Sequence, residues 1–213
     1  MQFNLSAFYY TGHFLFRYLL MACSFFLFYI KAQGQVLDST ALAEAFTYSS
    51  LEEALKEPEK VYKLSLKKNH LESFPMEILQ FKNIQFLDLS RNKIVEIPVE
   101  IKNLTLLQEL NLSRNEIEEI PKEITKLTHL KALYLNQNNI AAIPVQIGNL
   151  SKLEILDMWS NDLVFFPDEL EQLKNLKKLD LRAILLSENE QKRIEELLPH
   201  VKIYFSPSCN CGY

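Results

Sequence analysis

Five consecutive units of 23 residues fill residues 61–175 of the chain. Each unit reads apolar-x-x-Leu-x-apolar-x-x-Asn, then x-apolar, and later a proline after an aromatic residue or isoleucine. The units begin at Val61, Ile84, Leu107, Leu130 and Leu153. One unit cannot bury its own apolar face, whereas stacked units bury a continuous core. The repeat therefore predicts a solenoid with a long open surface, which favours binding over catalysis.

The residues within a unit predict a strand, a corner and a return. Leu110 and Leu112 alternate as a strand with one buried face requires. Pro121 ends strand pairing because it has no N–H to donate. Ile124 and Leu127 lie three residues apart, as in a short helical turn on the outer side. Strands joined by such covered returns are expected to run parallel.

Two of the units, "IQFLDLSRNKIVEIPVEIKNLTL" and "LQELNLSRNEIEEIPKEITKLTH", show the pattern at nearly every position. The pattern resembles the leucine-rich repeat family, in its common 23-residue class, and with the N-terminal segment described below it resembles the secreted bacterial type. The resemblance implies an α/β fold. It is a curved, horseshoe-like solenoid with a parallel concave β-sheet and helical caps at both ends.

One asparagine recurs at the same position of every unit: Asn69, Asn92, Asn115, Asn138 and Asn161. A buried corner leaves backbone N–H and C=O groups without partners, and an amide side chain supplies both a donor and an acceptor. We therefore expect a structural asparagine ladder.

Residues 1–34 have the pattern of a secretory signal peptide. Arg17 precedes an apolar stretch, residues 18–30, and small residues precede a cleavage point at Gln35. The 13 apolar residues are fewer than the roughly 20 that a membrane span needs. An uncleaved membrane anchor and a lipoprotein box ending at Cys23 are the alternatives. The predicted location is secreted, periplasmic or at the cell surface, with membrane contact only transient unless the segment is uncleaved.

The remaining boundaries follow from capping signals. Residues 35–60 are expected to form a loose lead-in, up to residue 47, and a capping helix that begins at Ser50. Residues 176–213 are expected to form a degenerate sixth repeat and a C-terminal cap, with a helix opened by Ser187 and then an edge strand. Cys209 and Cys211 are too close in sequence for an unstrained disulfide between them. The two alternatives for this segment are therefore an exposed tail and an intermolecular disulfide.

Composition excludes several classes of function. Without residues 1–34, the chain has 21 basic and 27 acidic residues, which argues against a nucleic-acid partner. Two glycines remain, too few for a phosphate-binding loop, and no zinc-protease or serine-hydrolase motif is present. No cofactor or metal is predicted. The nearest approach to an enzyme site is Asp157 and Asp180, in one column of adjacent strands, and this pair leaves a hydrolase as an alternative.

The concave face combines basic and aromatic positions. Its first half has basic residues at the edge, and its second half is apolar and aromatic. The predicted partner-binding residues are Phe86, Arg91, Arg114, Tyr134, Ile155 and Trp159. Aromatic residues and arginine dominate binding hot spots. Val164 and Phe165 form a second apolar spot on the flanking loop.

These features predict a non-enzymatic protein–protein interaction module that binds a protein or peptide through its concave face. Besides the hydrolase, the alternative is an intracellular-type signalling scaffold of the same repeat family, held by an uncleaved N-terminal anchor.

Overall fold

The computed structural model of the chain describes residues 34–206, which from Val36 onward form one compact unit. The predicted signal peptide, apart from Gly34, lies outside the described residues, and so do Cys209 and Cys211. Within the described part, no helix is both long enough and apolar enough to cross a membrane.

Eight parallel strands form a single open sheet, in which the strands lie in sequence order. The strands are β1 (Thr47–Tyr48), β2 (Lys63–Ser65), β3 (Phe86–Asp88), β4 (Glu109–Asn111), β5 (Ala132–Tyr134), β6 (Ile155–Asp157), β7 (Lys178–Leu181) and β8 (Lys202–Phe205). From β2 to β7 every register pair is 23 residues apart, so equivalent positions of successive units lie side by side. The predicted solenoid with a parallel sheet is confirmed.

The core lies on one side of the sheet, between the strands and the outer returns. Leu87, Leu110, Leu133 and Leu156 point into it from the centres of four strands and are buried. Each return contains a five-residue 3₁₀ helix: Met76–Gln80, Val99–Asn103, Lys122–Lys126, Val145–Asn149 and Asp168–Gln172. The repeat proline immediately precedes each 3₁₀ helix, where its fixed φ suits the entry and its missing N–H costs no hydrogen bond.

The repeated asparagines bond neighbouring units together through the backbone. The Asn115 carboxamide oxygen accepts the Ile94 N–H at 3.0 Å, and its nitrogen donates to carbonyls of Leu89 and Leu112. Asn92, Asn138 and Asn161 make equivalent bonds one unit apart. Asn69, in the first unit, is exposed, and its backbone N–H donates to the Asn92 side chain.

A helix closes each end of the core. Helix α2 (Leu51–Lys56) begins after Ser50, whose hydroxyl accepts the Glu53 N–H, and it buries Ala54. Helix α3 (Glu188–Leu197) begins after Ser187, whose hydroxyl accepts the Glu190 N–H. These side-chain caps satisfy helix N–H groups that lack an intrahelical partner.

The lead-in before α2 is folded, contrary to the expectation of a loose segment. Helix α1 (Ser39–Glu44) begins after Asp38, whose carboxylate accepts the N–H groups of Thr40 and Ala41, both at 2.9 Å. The backbone of Leu37 also bonds to the side chains of two buried glutamines that precede β3 and β4. Its N–H donates to Gln85 Oε1, and its carbonyl oxygen accepts from Gln108 Nε2. Polar contacts far away in the sequence therefore fix this segment.

Candidate functional site

The concave face is the side of the sheet opposite the core, and it is built from alternate residues of each strand. Three columns cross it, running from strand to strand. The first contains Lys63, Phe86, Glu109, Ala132, Ile155 and Lys178, and the second contains Ser65, Asp88, Asn111, Tyr134, Asp157 and Asp180. The third lies just beyond most strand ends and contains Ser90, Ser113, Asn136, Trp159 and Arg182. Neighbours within a column are about 4.8 Å apart.

An apolar cluster lies where β5 meets β6. Tyr134 pairs with Asp157, which places Ile155 and Trp159 on the two diagonals from the tyrosine, about 8 Å away between Cα atoms. All three apolar side chains are partly buried. Burial, followed by the nearby carboxylates of Glu109 and Asp157, raises the pKa of Tyr134 above its usual 10.0, so its hydroxyl stays protonated and can donate a hydrogen bond. The cluster therefore offers apolar area with one polar group.

Phe86 lies apart from this cluster, at the N-terminal end of the concave face. It is three strands away from Ile155 in the same column, about 14 Å. The ring lines a groove of about 270 Å³ that Leu42 and Ala43 of α1 also line. Lys63 lies over the ring at 5.6 Å and donates to the Ala43 carbonyl oxygen. Helix α1 therefore borders this end of the face.

Arg91 and Arg114 lie in the turns that follow β3 and β4, at the edge of the sheet. Both are exposed and have left-handed backbone angles, φ 60° and 58°. Their N–H groups continue the inter-strand ladder by donating to Ser113 and Asn136. The two arginines thus follow β3 and β4, whereas the apolar cluster lies on β5 and β6.

Asp157 and Asp180 are neighbours across β6 and β7, as their column position predicts. Each carboxylate accepts the N–H two residues further on, of Trp159 and Arg182 respectively. Asp180 is buried and also accepts two hydrogen bonds from the Arg182 guanidinium, with Lys178 at 3.7 Å. Both carboxylates thus hold the turn after the strand, and Asp180 is ion-paired.

The two aspartates differ in their pKa. Burial raises the pKa of Asp157 above its usual 3.8, only partly offset by the Trp159 N–H. Burial also raises the pKa of Asp180, but the hydrogen bonds and charge of Arg182 outweigh that effect and hold the pKa below 3.8. Asp180 therefore stays ionised beside its cations at neutral pH.

The depressed pKa of Asp180 predicts how Asp180→Asn alters stability with pH. A carboxyl group with a lowered folded-state pKa stabilises the fold above its unfolded pKa, and this contribution disappears as pH falls through the folded-state value. At pH 7 the wild type should be more stable in urea than Asp180→Asn, and the gap should close as pH falls below 3.8. Asp157 is present in both proteins, so its burial, the largest cause of its raised pKa, acts on both. A gap that does not change with pH would contradict this assignment.

The C-terminal end of the concave face has basic residues around one aromatic ring. β8 pairs with β7 so that Lys202 lies beside Lys178 and Tyr204 beside Asp180. The cationic groups of Lys202, Lys178 and Arg182 lie 5.0, 5.3 and 5.7 Å from the centre of the Tyr204 ring. Lys202 and Tyr204 are not among the binding residues predicted from the sequence, although the inward alternation of Val201, Ile203 and Phe205 implies that they face outward.

The flanking loop presents a second apolar surface. Val164 is 85% exposed and Phe165 49% exposed, and both line a groove of about 520 Å³ with Val145. Charged residues border this groove, among them Asp168 and Arg193. This groove is formed by the loop after β6 and by the outer returns, and it is separate from the concave face.

Known proteins show the same architecture. The family profile described as "Leucine-rich repeat region" matches residues 60–202. A leucine-rich repeat protein of Leptospira interrogans is 32% identical, with 76% of this chain and 48% of that chain covered and a TM-score of 0.60. An internalin of Listeria monocytogenes is 21% identical, with 70% and 44% covered and a TM-score of 0.59, and shares the fold.

A third similar structure is the ectodomain of the plant membrane receptor kinase GASSHO1/SCHENGEN3 of Arabidopsis thaliana, in complex with CASPARIAN STRIP INTEGRITY FACTOR 2. It is 29% identical, with 65% of this chain and 18% of that chain covered and a TM-score of 0.55. The chain spans less than half the length of each of these three proteins. A search of curated proteins gave no match. The 23-residue units, the asparagine bonds and the matched profile together show that the chain belongs to the leucine-rich repeat family.

Proposed function

We propose that the chain is a binding protein that holds a protein or peptide partner on its concave face, with Tyr134, Ile155 and Trp159 as the central contacts. The observation that carries this proposal is the apolar cluster at β5 and β6, because two aromatic side chains and one aliphatic side chain adjoin there. Burial of such side chains in a complex dominates the binding energy of many interfaces. Arg91 and Arg114, at the edge, would attract an acidic partner from a distance.

Similar proteins support a binding role. The GASSHO1/SCHENGEN3 ectodomain, which shares the repeat fold, was solved in complex with another factor. Leucine-rich repeat neighbours of this kind support an interaction module whose partner is a protein or peptide. The fold alone does not determine function, so the proposal rests on the side chains of the face.

The state of the two aspartates supports a binding role over hydrolysis. Both carboxylates of the pair bond to the backbone of the following turn, and Asp180 is buried and paired with Arg182. A glycoside hydrolase needs one carboxyl group that donates a proton and another that reaches the substrate. Asp180, with its lowered pKa and buried oxygens, is suited to neither role.

Trp159→Ala should weaken partner binding by about 2 kcal/mol, or about 30-fold in Kd, because the substitution removes the largest apolar surface of the cluster. The loss should come mainly from faster dissociation. A displayed library of linear peptides, selected on the full chain, supplies the probe. Kd and off-rates of the selected peptides are then measured for wild type and variant.

Two variants serve as controls for Trp159→Ala. Phe165→Ala removes an exposed aromatic ring from the flanking loop, and Lys126→Ala changes an exposed outer return. Neither should alter the Kd. Binding that is lost with Phe165→Ala and kept with Trp159→Ala would move the site to the flanking loop and refute the concave face.

The proposal places the protein outside the cytoplasm, as a secreted, periplasmic or cell-surface protein. The support is the order of residues 1–34: a basic residue, an apolar stretch of signal-peptide length and small residues before Gln35. The exported protein should therefore begin at or near Gln35, and N-terminal sequencing of material from the producing cells checks this. An intact Met1 on membrane-bound protein would favour the uncleaved anchor instead.

A further inference from the structure

We propose that the C-terminal end of the concave face is a carboxylate-binding subsite, in which Lys178, Arg182 and Lys202 surround Tyr204 and receive an acidic side chain of the partner. The proposal rests on the binding function proposed above and deepens it, because it states which chemistry the partner must present beside its apolar contact.

The first support is the convergence of three cations on one ring. Two successive strands bring them together: Lys178 and Arg182 from β7 and its end, and Lys202 from β8. All three charged groups lie within 5.7 Å of the Tyr204 ring centre. Cations attract the face of an aromatic ring, so the ring helps to hold like charges near one another. A hydrogen bond to Tyr204 also raises the pKa of Lys202.

The second support is the charge balance of this cluster. Asp180 is its internal acid, and it is 1% exposed and bonded through both oxygens to Arg182. A ligand cannot reach it, and one carboxylate cannot neutralise three cations. Asp157, on the neighbouring strand, is a second acid, and the three cations still outnumber the two carboxylates by one. The patch is thus locally positive on a chain whose formal net charge is −4.

The third support is the position of the subsite relative to the apolar cluster. Ile155 is the direct partner of Lys178 across β6 and β7, and Trp159 shares a column with Arg182. The centres of the two surfaces are about two strand spacings apart, or about 10 Å, which an extended peptide covers in about three residues. The face therefore fits a segment with a large apolar residue and, about three positions away, an aspartate or glutamate.

The opposite end of the concave face restricts where such a segment can lie. Helix α1 and the Leu37 backbone border the face at β2 to β4, through Lys63, Gln85 and Gln108. The open stretch thus extends from β5 to β8 and contains the apolar cluster and the cations side by side. A segment that crosses this stretch meets both.

The test is a double-mutant cycle on the full chain, with a peptide selected from a displayed library of linear sequences. The peptides that bind wild type should contain Asp or Glu about three positions from a large apolar residue. Replacement of that acid by its amide should weaken binding about fivefold, and Lys202→Gln should do the same. The two changes together should cost little more than either alone, and Lys202→Arg should restore affinity.

Lys202 is the position for this test because its removal leaves the Arg182–Asp180 pair in place, so the fold is kept, and a urea titration checks that. Lys174→Gln, an exposed lysine on the outer side, is the matched control and should leave the Kd unchanged. Trp159 is the chain's only tryptophan, so its fluorescence reports binding to the wild type and to the lysine variants.

Several results would overturn the subsite. They are the selection of peptides without acids, the absence of any selected peptide, and equal affinity of acidic and amide peptides for wild type. If Trp159→Ala weakens binding and Lys202→Gln does not, the subsite is wrong while the concave-face function stands. If neither substitution matters and a peptide still binds, the concave-face function itself is wrong.

Discussion

Asn115→Ala should lower the free energy of unfolding by about 3 kcal/mol, because it leaves several buried backbone groups unpaired at once. The side chain accepts from the Ile94 N–H and donates to the carbonyl oxygens of Leu89 and Leu112. The residue itself is buried, so water replaces these bonds poorly. Urea unfolding followed by circular dichroism measures the effect. The m-value, which is the slope of the unfolding free energy against urea concentration, should be the same for wild type and variant.

Asn139→Ala is the matched control for Asn115→Ala. It makes the same chemical change one residue past the equivalent ladder position, at an exposed side chain. Its effect should be within about 0.5 kcal/mol. Equal urea midpoints for the two variants would show that the ladder bonds contribute nothing beyond those of any surface asparagine.

Gly148→Val should also destabilise by about 3 kcal/mol, through overpacking rather than lost bonds. Gly148 is buried in the 3₁₀ helix Val145–Asn149, against the next 3₁₀ helix, Asp168–Gln172. A Cβ atom at this position would lie 2.8 Å from the Glu169 carbonyl oxygen and 2.9 Å from the Gln172 Cβ. One of these atoms is backbone, so the neighbouring helix must shift.

Gln146→Val is the control for Gly148→Val. It introduces the same β-branched side chain into the same short helix, but at an exposed position. Its urea midpoint should remain close to that of the wild type. If Gly148→Val also kept the wild-type midpoint, the close approach of the two returns would not limit side-chain size there.

The sequence predicted the repeated part of the fold well, because each determinant is local and recurs. The leucine alternation predicts the strands, the prolines mark the returns, and Ser50 and Ser187 predict the two capping helices. Helix α1 was not predicted, because the hydrogen bonds that fix its segment are made with residues far away in the sequence. Leu37 bonds with amides 48 and 71 residues further on. Asp38 before Ser39 and Thr40 was the one local helix-start signal.

The sequence predicted which residues of the candidate site share a column of the sheet. It did not predict the position of Tyr204 or the burial of Asp180. Alternation within the units places Tyr134, Ile155 and Trp159 on one side of the sheet, where the structure has them. The position of Tyr204 was harder to infer, because α3 interrupts the repeat and β8 follows β7 with a spacing of 24 residues instead of 23. Burial also depends on the whole array, as shown by Asp180, whose oxygens Arg182 encloses.

Because β2 to β7 follow one another at a constant spacing, duplication or deletion of a whole unit preserves the register of the remaining strands. A unit duplicated between β4 and β5 would bring its own strand, return and asparagine, and every existing register pair elsewhere would persist. It would move the cations around Tyr204 away from α1 by about 4.8 Å. Recombination of whole units would thus lengthen the concave face in fixed steps of one strand spacing, without altering the residues around Tyr204.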